Sequence, residues 1–163
     1  MKVIADTGFL SSLAKIDRLE LITEFFDTDE FSVPTQVIDE LKDSKIYEII
    51  SCQISRENSE GIIRTEIIEI DYSQLGYSRE RYGKGEIACI ELSEDKDILL
   101  IDDRDAKKLA KEEGKNCYDL PTFLLSCKKK GILNSEQLEH VIDDLENEDS
   151  YHFTDEIEER LIS

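Results

Sequence analysis

Carboxylate side chains follow two apolar segments of this chain, at the points where the segments end. Asp6 comes directly after Val3–Ala5, and Asp102, Asp103 and Asp105 follow residues 98–101. Both segments are typical of buried strands, and ligands of open α/β sheets gather at the carboxyl ends of strands. Clustered carboxylates repel one another unless a cation neutralises them, and hard ions such as Mg²⁺ prefer oxygen ligands. The pattern therefore predicts a divalent-metal site, although an Asp after a strand often only caps the next helix.

Two glutamates are further candidates for such a site. Glu40 lies in a predicted helix beside Ile38 and Leu41, and Glu86 begins a predicted helix after the Gly-Lys-Gly turn at residues 83–85. Each also has an ordinary structural explanation. A Glu on a helix surface is usually solvated, and a Glu in the first turn interacts favourably with the helix dipole. Spacing alone does not choose between these interpretations.

Short apolar segments alternate with helical patterns along the chain and predict the elements that must position these acids. Strands are expected at residues 3–5, 31–33, 67–70 and 98–101 and near residues 117–118. Pro34 suits the first turn of one helix, and Gly114 and Gly131 suit the ends of two others. Uniformly apolar strands that alternate with helices indicate an α/β protein whose mainly parallel central sheet is covered on both faces.

Composition excludes several classes of protein. The chain has 163 residues, of which 39% are hydrophobic and two are proline, so we expect one folded domain rather than a disordered chain. No segment approaches the roughly 18 apolar residues of a membrane span. The first ten residues already contain an acid, so no secretory signal is expected. The four cysteines form no Cys-x-x-Cys pair, and we expect reduced, buried thiols in a cytoplasmic protein without a membrane partner.

The charge is strongly negative and unevenly distributed. The formal net charge of −19 argues against broad attraction to nucleic acid, so any such role must rest on local basic patches and bridging metal ions. Residues 135–163 contain 11 acids and one base. Apolar residues nevertheless recur there at helical spacing, which predicts two acidic amphipathic helices packed on the body of a single domain, residues 1–163. One hypothesis is that these helices shield the site until a partner binds.

Four segments of the chain resemble the PIN-domain nucleases. They are residues 4–13 (IADTGFLSSL), 33–41 (VPTQVIDEL), 83–92 (GKGEIACIEL) and 99–110 (LLIDDRDAKKLA). The chain is most similar to a little-characterised, mostly archaeal and bacterial branch of predicted nucleic-acid-binding PIN proteins related to VapC-type toxins. The resemblance covers nearly the whole chain. It implies a three-layer α/β/α fold and hydrolysis of phosphodiester bonds, generally of RNA, with Mg²⁺ or Mn²⁺ as the cofactor.

The resemblance also implies roles for individual residues. The acids of the PIN site correspond in chain order to Asp6, Glu40, Glu86 and Asp103, with Asp102 as an alternative for the last and Asp105 as an accessory acid. Asp6 and Asp103 would bind metal directly, and the two glutamates directly or through water. Thr7 would orient a carboxylate or contact phosphate, and water would be the nucleophile. One departure is Asp119-Leu120, where this branch tends to have Gly-Thr.

Basic side chains flank the predicted site in sequence and suit a groove for a nucleic-acid strand. They are Arg104, Lys107, Lys108 and Lys111 after the acidic turn, and Arg79, Arg81 and Lys84 before Glu86. We expect Thr7, Lys84, Arg104 and Lys107 to contact substrate, although such lysines often only pair with surface acids. The alternatives for Tyr72, Tyr77 and Tyr82 are stacking on bases and packing on the body. Lys128, Lys129 and Lys130 are expected in solvent at a helix end.

Three functional interpretations follow. The first is a metal-dependent ribonuclease, either a free-standing enzyme or the toxin of a toxin–antitoxin pair, with RNA as substrate, an antitoxin partner and, by analogy with such toxins, a homodimer. The second is a PIN-fold module that no longer cleaves and binds a basic protein through its acidic surface. The third is another acid-rich α/β protein such as a receiver domain, but receivers carry paired acids after their first strand. The set of four acids favours the nuclease.

Overall fold

A computed structural model describes the whole chain, residues 1–163. At its centre is a five-stranded sheet in which every strand pairing is parallel. The strands are β1 (Val3–Ala5), β2 (Phe31–Pro34), β3 (Ile63–Glu66), β4 (Ile98–Leu100) and β5 (Asn116–Tyr118). Their order across the sheet is β3-β2-β1-β4-β5. All residues of β1 and β2 are buried, because helices cover both faces of the sheet.

Nine α-helices flank the sheet and complete the expected three-layer α/β/α fold. They are α1 (Thr7–Lys15), α2 (Glu20–Phe26), α3 (Thr35–Leu41), α4 (Tyr47–Gln53), α5 (Lys84–Leu92), α6 (Arg104–Glu112), α7 (Leu120–Lys129), α8 (Ser135–Asp149) and α9 (Asp155–Ile162). Two short 3₁₀ helices, Tyr72–Gln74 and Arg79–Arg81, lie in the long loop before α5. No helix is long and apolar enough to cross a membrane.

Side-chain caps explain where several helices begin. Asp6, Asp103 and Asp119 each accept a hydrogen bond from the backbone N–H three residues later, at the starts of α1, α6 and α7. Gly114 and Gly131 follow α6 and α7 with φ of 75° and 79°, a left-handed conformation that glycine adopts without strain. A helix cap and a role in the site are therefore compatible for Asp6 and Asp103, because a carboxylate can accept the capping hydrogen bond and still bind a ligand through its other lone pairs.

The predicted third strand was placed incorrectly. The structure puts β3 at Ile63–Glu66, whereas residues 67–70 form no strand and Ile67 is 84% exposed. β3 is the edge strand of the sheet and pairs with β2, with Phe31 opposite Ile63, and on its other side Ile63 makes an isolated bridge with Ile54. An edge strand is held by its backbone hydrogen bonds and needs few buried side chains, so the apolar segment that follows it gave a misleading signal.

The acidic C-terminal helices contribute directly to the core. Four apolar side chains of α8 and one of α9 are almost completely buried, and they belong to the same cluster as the sheet residues: Leu138, Val141, Ile142, Leu145 and Leu161. At the end of α8, Asp149 accepts hydrogen bonds from the Ser12 hydroxyl at 2.6 Å and from Lys15 Nζ at 2.7 Å, both on α1. The apolar side of these helices therefore packs on the core, and most of their acids face the solvent.

Of the three lysines at the end of α7, Lys129 and Lys130 are exposed as expected and Lys128 is half-buried, and two of the three also have partners within the protein. Lys130 donates to the carbonyl of Phe25, and its ammonium lies 4.6 Å from the centre of the Phe25 ring. Lys128 donates to the carbonyls of Arg160 and Ser163 at the end of α9. The thiols also differ in part from expectation. All four are free, but only Cys89 and Cys127 are buried.

The strand order creates a switch point beside β1. The chain builds β2 and β3 on one side of β1 and then crosses to build β4 and β5 on the other. β1 and β4 are neighbours, with Ala5 opposite Leu100, and the Asp6 N–H donates to the Leu100 carbonyl at 3.0 Å. The acids that follow β1 and β4 therefore meet at the crevice where ligands of such sheets bind.

Candidate active site

Asp6 lies at the centre of the acidic crevice and is 1% exposed. Its Oδ1 accepts the Phe9 N–H at 2.9 Å, which begins α1. Burial raises the pKa of Asp6 to about 8, although the Phe9 hydrogen bond opposes the shift, and the nearby carboxylates Glu86, Asp102 and Asp103 raise the pKa further. A buried carboxyl group among other carboxylates is strongly biased toward the protonated form when no cation is present.

Asp102 and Asp103 approach Asp6 from the end of β4 and differ in their surroundings. Asp102 is half-buried, and its Oδ1 accepts the Leu120 N–H at 2.9 Å and the Tyr151 hydroxyl at 3.1 Å. Asp103 is exposed, and its Oδ1 accepts the Ala106 N–H at 2.9 Å. Both act on the pKa of Asp6, so the structure brings both toward the site and does not separate the two alternatives that the sequence left open.

Glu40 is held by the beginnings of two other helices. The Thr7 hydroxyl donates to its Oε2, and the Gly85 N–H donates to its Oε1 at 2.7 Å. A Cβ on residue 85 would lie 2.9 Å from both carboxylate oxygens of Glu40 and 3.0 Å from Thr7 Oγ1. Only glycine leaves room for this arrangement. Thr7 therefore orients a carboxylate, one of the two roles expected for it.

Glu86 lies in the first turn of α5 and is half-buried. Its Oε2 accepts the Gly83 N–H at 3.1 Å. Burial raises the pKa of Glu86, and although the Gly83 hydrogen bond opposes this shift, the carboxylates of Asp103, Glu40 and Asp105 add to it. Asp105 is itself exposed in the first turn of α6. The six acids predicted from the sequence thus lie near one another at the carboxyl ends of the strands.

The six acids give this part of the protein an excess negative charge, which a divalent cation would neutralise. Their carboxylate oxygens are also the type of ligand that Mg²⁺ prefers. No Lys, Arg or His forms an ion pair with any of the six predicted acids. No group of three or more His, Cys, Asp or Glu side chains is arranged so that it could hold a metal ion by itself. Mg²⁺ is commonly held by one or two carboxylates together with water and substrate phosphates. The fit to such an ion thus rests on the charge and ligand type of the acids, and water and substrate phosphates would have to complete its coordination.

One side of α6 forms a basic surface next to the acids. Asp103 and Asp105 share one open depression with the basic residues of this helix, Arg104, Lys107, Lys108 and Lys111. Lys107 is partly neutralised, because its ammonium lies 2.6 Å from an oxygen of Asp119. The other three make no ion pair and are exposed, as is Lys84 at the start of α5.

Two of the three loop tyrosines, Tyr77 and Tyr82, follow the packing alternative and lie against the core, whereas Tyr72 contacts a residue of its own loop. Tyr77 lies edge-on to Tyr82 with 5.9 Å between ring centres, and its hydroxyl donates to Glu91 at 2.6 Å. Arg79 lies over the Tyr72 ring at 5.4 Å. All three rings are half-buried. This loop therefore covers the body, with its aromatic faces already in contact with protein.

Sequence reasoning missed three residues at the site. Gly85 was identified only as part of a turn, although it leaves the space that Glu40 occupies. Cys89 is fully buried, and burial together with Asp6, Glu40 and Glu86 raises the pKa of its thiol. Tyr151 reaches Asp102 from the C-terminal segment. No local pattern indicates these contacts, because each depends on which elements meet in space.

The parallel sheet and the acids at its switch point define an α/β protein with an acidic candidate site where ligands of such sheets bind. The family model described as a PIN domain matches residues 2–163, and the chain belongs to the PIN-domain family. No curated protein and no solved structure matches the chain. PIN domains are generally nucleases and usually use divalent metal ions, which agrees with the type of residue found at the site.

Proposed function

We propose that this protein is a metal-dependent ribonuclease that hydrolyses RNA phosphodiester bonds with water as the nucleophile. The observation that supports the proposal best is the burial of Asp6 beside Glu86, Asp102 and Asp103 without a basic partner. Such a group of carboxylates costs free energy in an apoprotein, and binding a cation removes most of that cost. A purely structural role would not require so many acids at one point.

The roles of the side chains follow from their positions. Asp6 and Asp103, with Asp102 beside them, would hold a Mg²⁺ or Mn²⁺ ion, and Glu40 and Glu86 would bind it directly or through water. The ion, when bound, lowers the pKa of a water molecule and neutralises charge on the phosphate. Thr7 and Gly85 keep the Glu40 carboxylate in place. No side chain at the site is a convincing nucleophile, so the acids act by orienting the attacking water.

The basic face of α6 supports a substrate path that leads away from the acids. Arg104, Lys108 and Lys111 are separated by four and three residues, a spacing that places them on one side of a helix. With 1.5 Å of rise per residue, they extend over about 10 Å. In the proposal, these side chains and Lys84 bind backbone phosphates, with Lys107 at the margin because of its ion pair with Asp119.

A cleavage assay tests the proposal. Mixed single-stranded and structured RNAs are incubated with the protein in Mn²⁺, in Mg²⁺ and in EDTA, with Asp6→Asn and Asp103→Asn run alongside. Asp143→Asn is the matched control, since it removes one exposed acid of α8 that makes no hydrogen bond or ion pair. We expect cleavage that requires metal, is lost in both site variants by at least about 100-fold, and is unchanged in the control.

The outcomes separate the proposal from its rivals. Cleavage that persists in Asp6→Asn would come from a contaminant and would contradict the proposal. If no RNA is cut, Mn²⁺ binding is compared between the wild type and Asp6→Asn. If the wild type binds Mn²⁺ more tightly than Asp6→Asn, the proposed metal site is supported and the cleavage assay is repeated with a wider set of RNAs. Equal, weak binding would favour the second function described next.

The second candidate is a non-catalytic PIN-fold module that binds a basic protein partner. The net charge of −19, and in particular the exposed acids of α8 and α9, favours this alternative. The toxin role, an antitoxin partner and a homodimer are further proposals that rest on the family resemblance alone. Action in the cytoplasm is a proposal that rests on the four free thiols. Co-expression with a small basic protein encoded by an adjacent gene would test the antitoxin partner. The mass of the purified protein in solution would test the homodimer.

A further inference from the structure

The segment that joins α8 to α9 reaches the acidic site. Ser150 has a left-handed conformation with φ of 50° and ends α8, and the Tyr151 N–H then donates to the Leu145 carbonyl at 3.0 Å. The turn directs the half-buried Tyr151 ring against Phe153, with 5.0 Å between ring centres. The Tyr151 hydroxyl donates to Asp102 Oδ1 at 3.1 Å. A residue far along the chain thus contacts an acid at the end of β4.

The two oxygens of the Asp102 carboxylate are treated differently by the protein. Oδ1 accepts two hydrogen bonds, from Tyr151 and from the Leu120 N–H, whereas Oδ2 accepts none. Two donors on the same oxygen resist rotation of the carboxyl group about its Cβ–Cγ bond. The arrangement leaves Oδ2 as the oxygen with full acceptor capacity, on a carboxylate close enough to Asp6 to affect its pKa.

The position of Tyr151 is itself fixed by the helix that begins at Asp6. Two residues before Tyr151, Asp149 accepts hydrogen bonds from the Ser12 hydroxyl and from Lys15 Nζ of α1. Lys15 and Asp149 form an ion pair in which the Asp149 side chain is 10% exposed. The segment is therefore attached both to α1, which Asp6 caps, and to the end of β4, which Asp102 follows.

We propose that Tyr151 is a positioning residue of the acidic site, whose hydroxyl holds the Asp102 carboxylate so that Oδ2 is available to a metal ion. The proposal rests on the proposed function, since it assigns Asp102 to the metal site. Hydrogen-bond partners of metal-binding side chains typically change metal affinity or activity by about 10- to 100-fold when they are removed. Tyr151 would supply such a contact from outside the segments that carry the acids.

The test removes only the hydroxyl, with Tyr151→Phe, which keeps the ring against Phe153. Tyr118→Phe is the matched control, because Tyr118 is also half-buried but its hydroxyl makes no hydrogen bond. Mn²⁺ affinity is measured by calorimetry on the full chain, and kcat and KM are measured on an RNA that the wild type cleaves. We expect Tyr151→Phe to weaken Mn²⁺ binding and lower kcat by about tenfold or more, with KM for RNA unchanged. Tyr118→Phe should match the wild type.

A double-mutant cycle determines whether Tyr151 acts through Asp102. If it does, adding Tyr151→Phe to Asp102→Ala has no further effect on Mn²⁺ affinity. An undiminished effect in that background would overturn the proposal. Wild-type Mn²⁺ affinity in Tyr151→Phe would also overturn it, and so would a gain in activity, because a gain would mean that the segment restrains the site.

The Asp6→Asn variant in the same titration separates this inference from the function on which it rests. If the wild type binds Mn²⁺ more tightly than Asp6→Asn and Tyr151→Phe equals the wild type, only the inference fails. If the wild type and Asp6→Asn bind Mn²⁺ equally, the proposed metal site fails and the inference fails with it. Thermal unfolding of each variant confirms that any loss is not a loss of folded protein.

Discussion

Gly85 shows how a residue without a side chain can determine the position of a charged one. Alanine at this position would bring its Cβ to 2.9 Å from both carboxylate oxygens of Glu40. Because these oxygens are the far end of a flexible side chain, Glu40 can move away at little cost to the fold. Alanine also favours the helix by about 0.5–1 kcal/mol over glycine. We therefore expect Gly85→Ala to lower nuclease activity about tenfold, with stability within about 1 kcal/mol of the wild type.

Gly83→Ala is the matched control for this prediction. A Cβ on residue 83 would lie 3.8 Å from Glu40 and from Glu86, which is ordinary contact, and Gly83 has a negative φ that alanine tolerates. Cleavage rates and thermal unfolding of the two variants are compared. Equal rates in Gly85→Ala and the wild type would mean that the position of Glu40 has no effect on the reaction.

The sequence pointed to Asp6 and Asp102-Asp103 as candidate site residues because they directly follow apolar strands, and the structure brings them to the same end of the sheet. Glu40 and Glu86 were identified mainly through the family resemblance, since helix-surface glutamates are common. Tyr151 could not be identified from the sequence, because it lies 49 positions from Asp102 and its contact depends on how α8 packs. Long-range contacts of this kind are set by tertiary packing and have no local signature.

At the scale of elements, α6 is both a carrier of site acids and the most basic exposed surface beside them. If its lysines bind RNA phosphates, the combined variant Lys108→Gln and Lys111→Gln should raise KM for RNA and leave kcat almost unchanged. The salt dependence of binding should also fall, by roughly 0.7 in the logarithmic slope for each single-strand phosphate that a lysine no longer neutralises. Binding to the inactive Asp6→Asn protein at several salt concentrations measures this slope without cleavage.

Lys96→Gln is the control for this prediction, because it removes one exposed lysine that lies away from the site. Lys96 lies in the turn before β4, at the opposite end of that strand from Asp102, and it forms no ion pair. The same fall in slope for Lys96→Gln as for a single α6 lysine would indicate a general charge effect and contradict a phosphate path along this helix.

The edge of the sheet shows why one element was misplaced while its neighbours were predicted well. The central strands β1 and β4 are surrounded by other strands and helices, so their burial leaves a clear apolar pattern in the sequence. β3 has one neighbouring strand, β2, and only Ile63 of β3 is buried, so its sequence, IRTE, carries little such pattern. Its position is determined by backbone pairing with β2, which side-chain composition does not record.

At the scale of the whole molecule, the C-terminal helices complete the core rather than extend from it. Deleting residues 135–163 would remove five apolar side chains of α8 and α9 that are at most 2% exposed, and would uncover the core surface beneath them. At roughly 1.5–3 kcal/mol each, their contribution is on the order of 10 kcal/mol, comparable with the whole stability of a typical domain. We expect the shortened chain to be unfolded or insoluble, as measured by circular dichroism and thermal unfolding. A cooperative transition in residues 1–134 would contradict this expectation.

The hypothesis that these helices shield the site therefore cannot be tested by removing them. The sequence predicted their amphipathic pattern correctly, because apolar residues at helical spacing are visible despite the surrounding acids. It did not indicate that the segment between the two helices contacts Asp102. The acids of α8 and α9, which suggested a shield, lie on the outer face of these helices. The apolar inner face packs on the core, and Tyr151 contacts Asp102.

The packing of α8 against α1 has a consequence for protein synthesis. β1 and Asp6 leave the ribosome before the residues that cover α1 and reach Asp102. An unfinished polypeptide therefore carries all six acids without the segment that completes their surroundings. Under the proposed ribonuclease function and the proposed role of Tyr151, this order would keep nascent chains from cutting the messenger and ribosome that are still producing them.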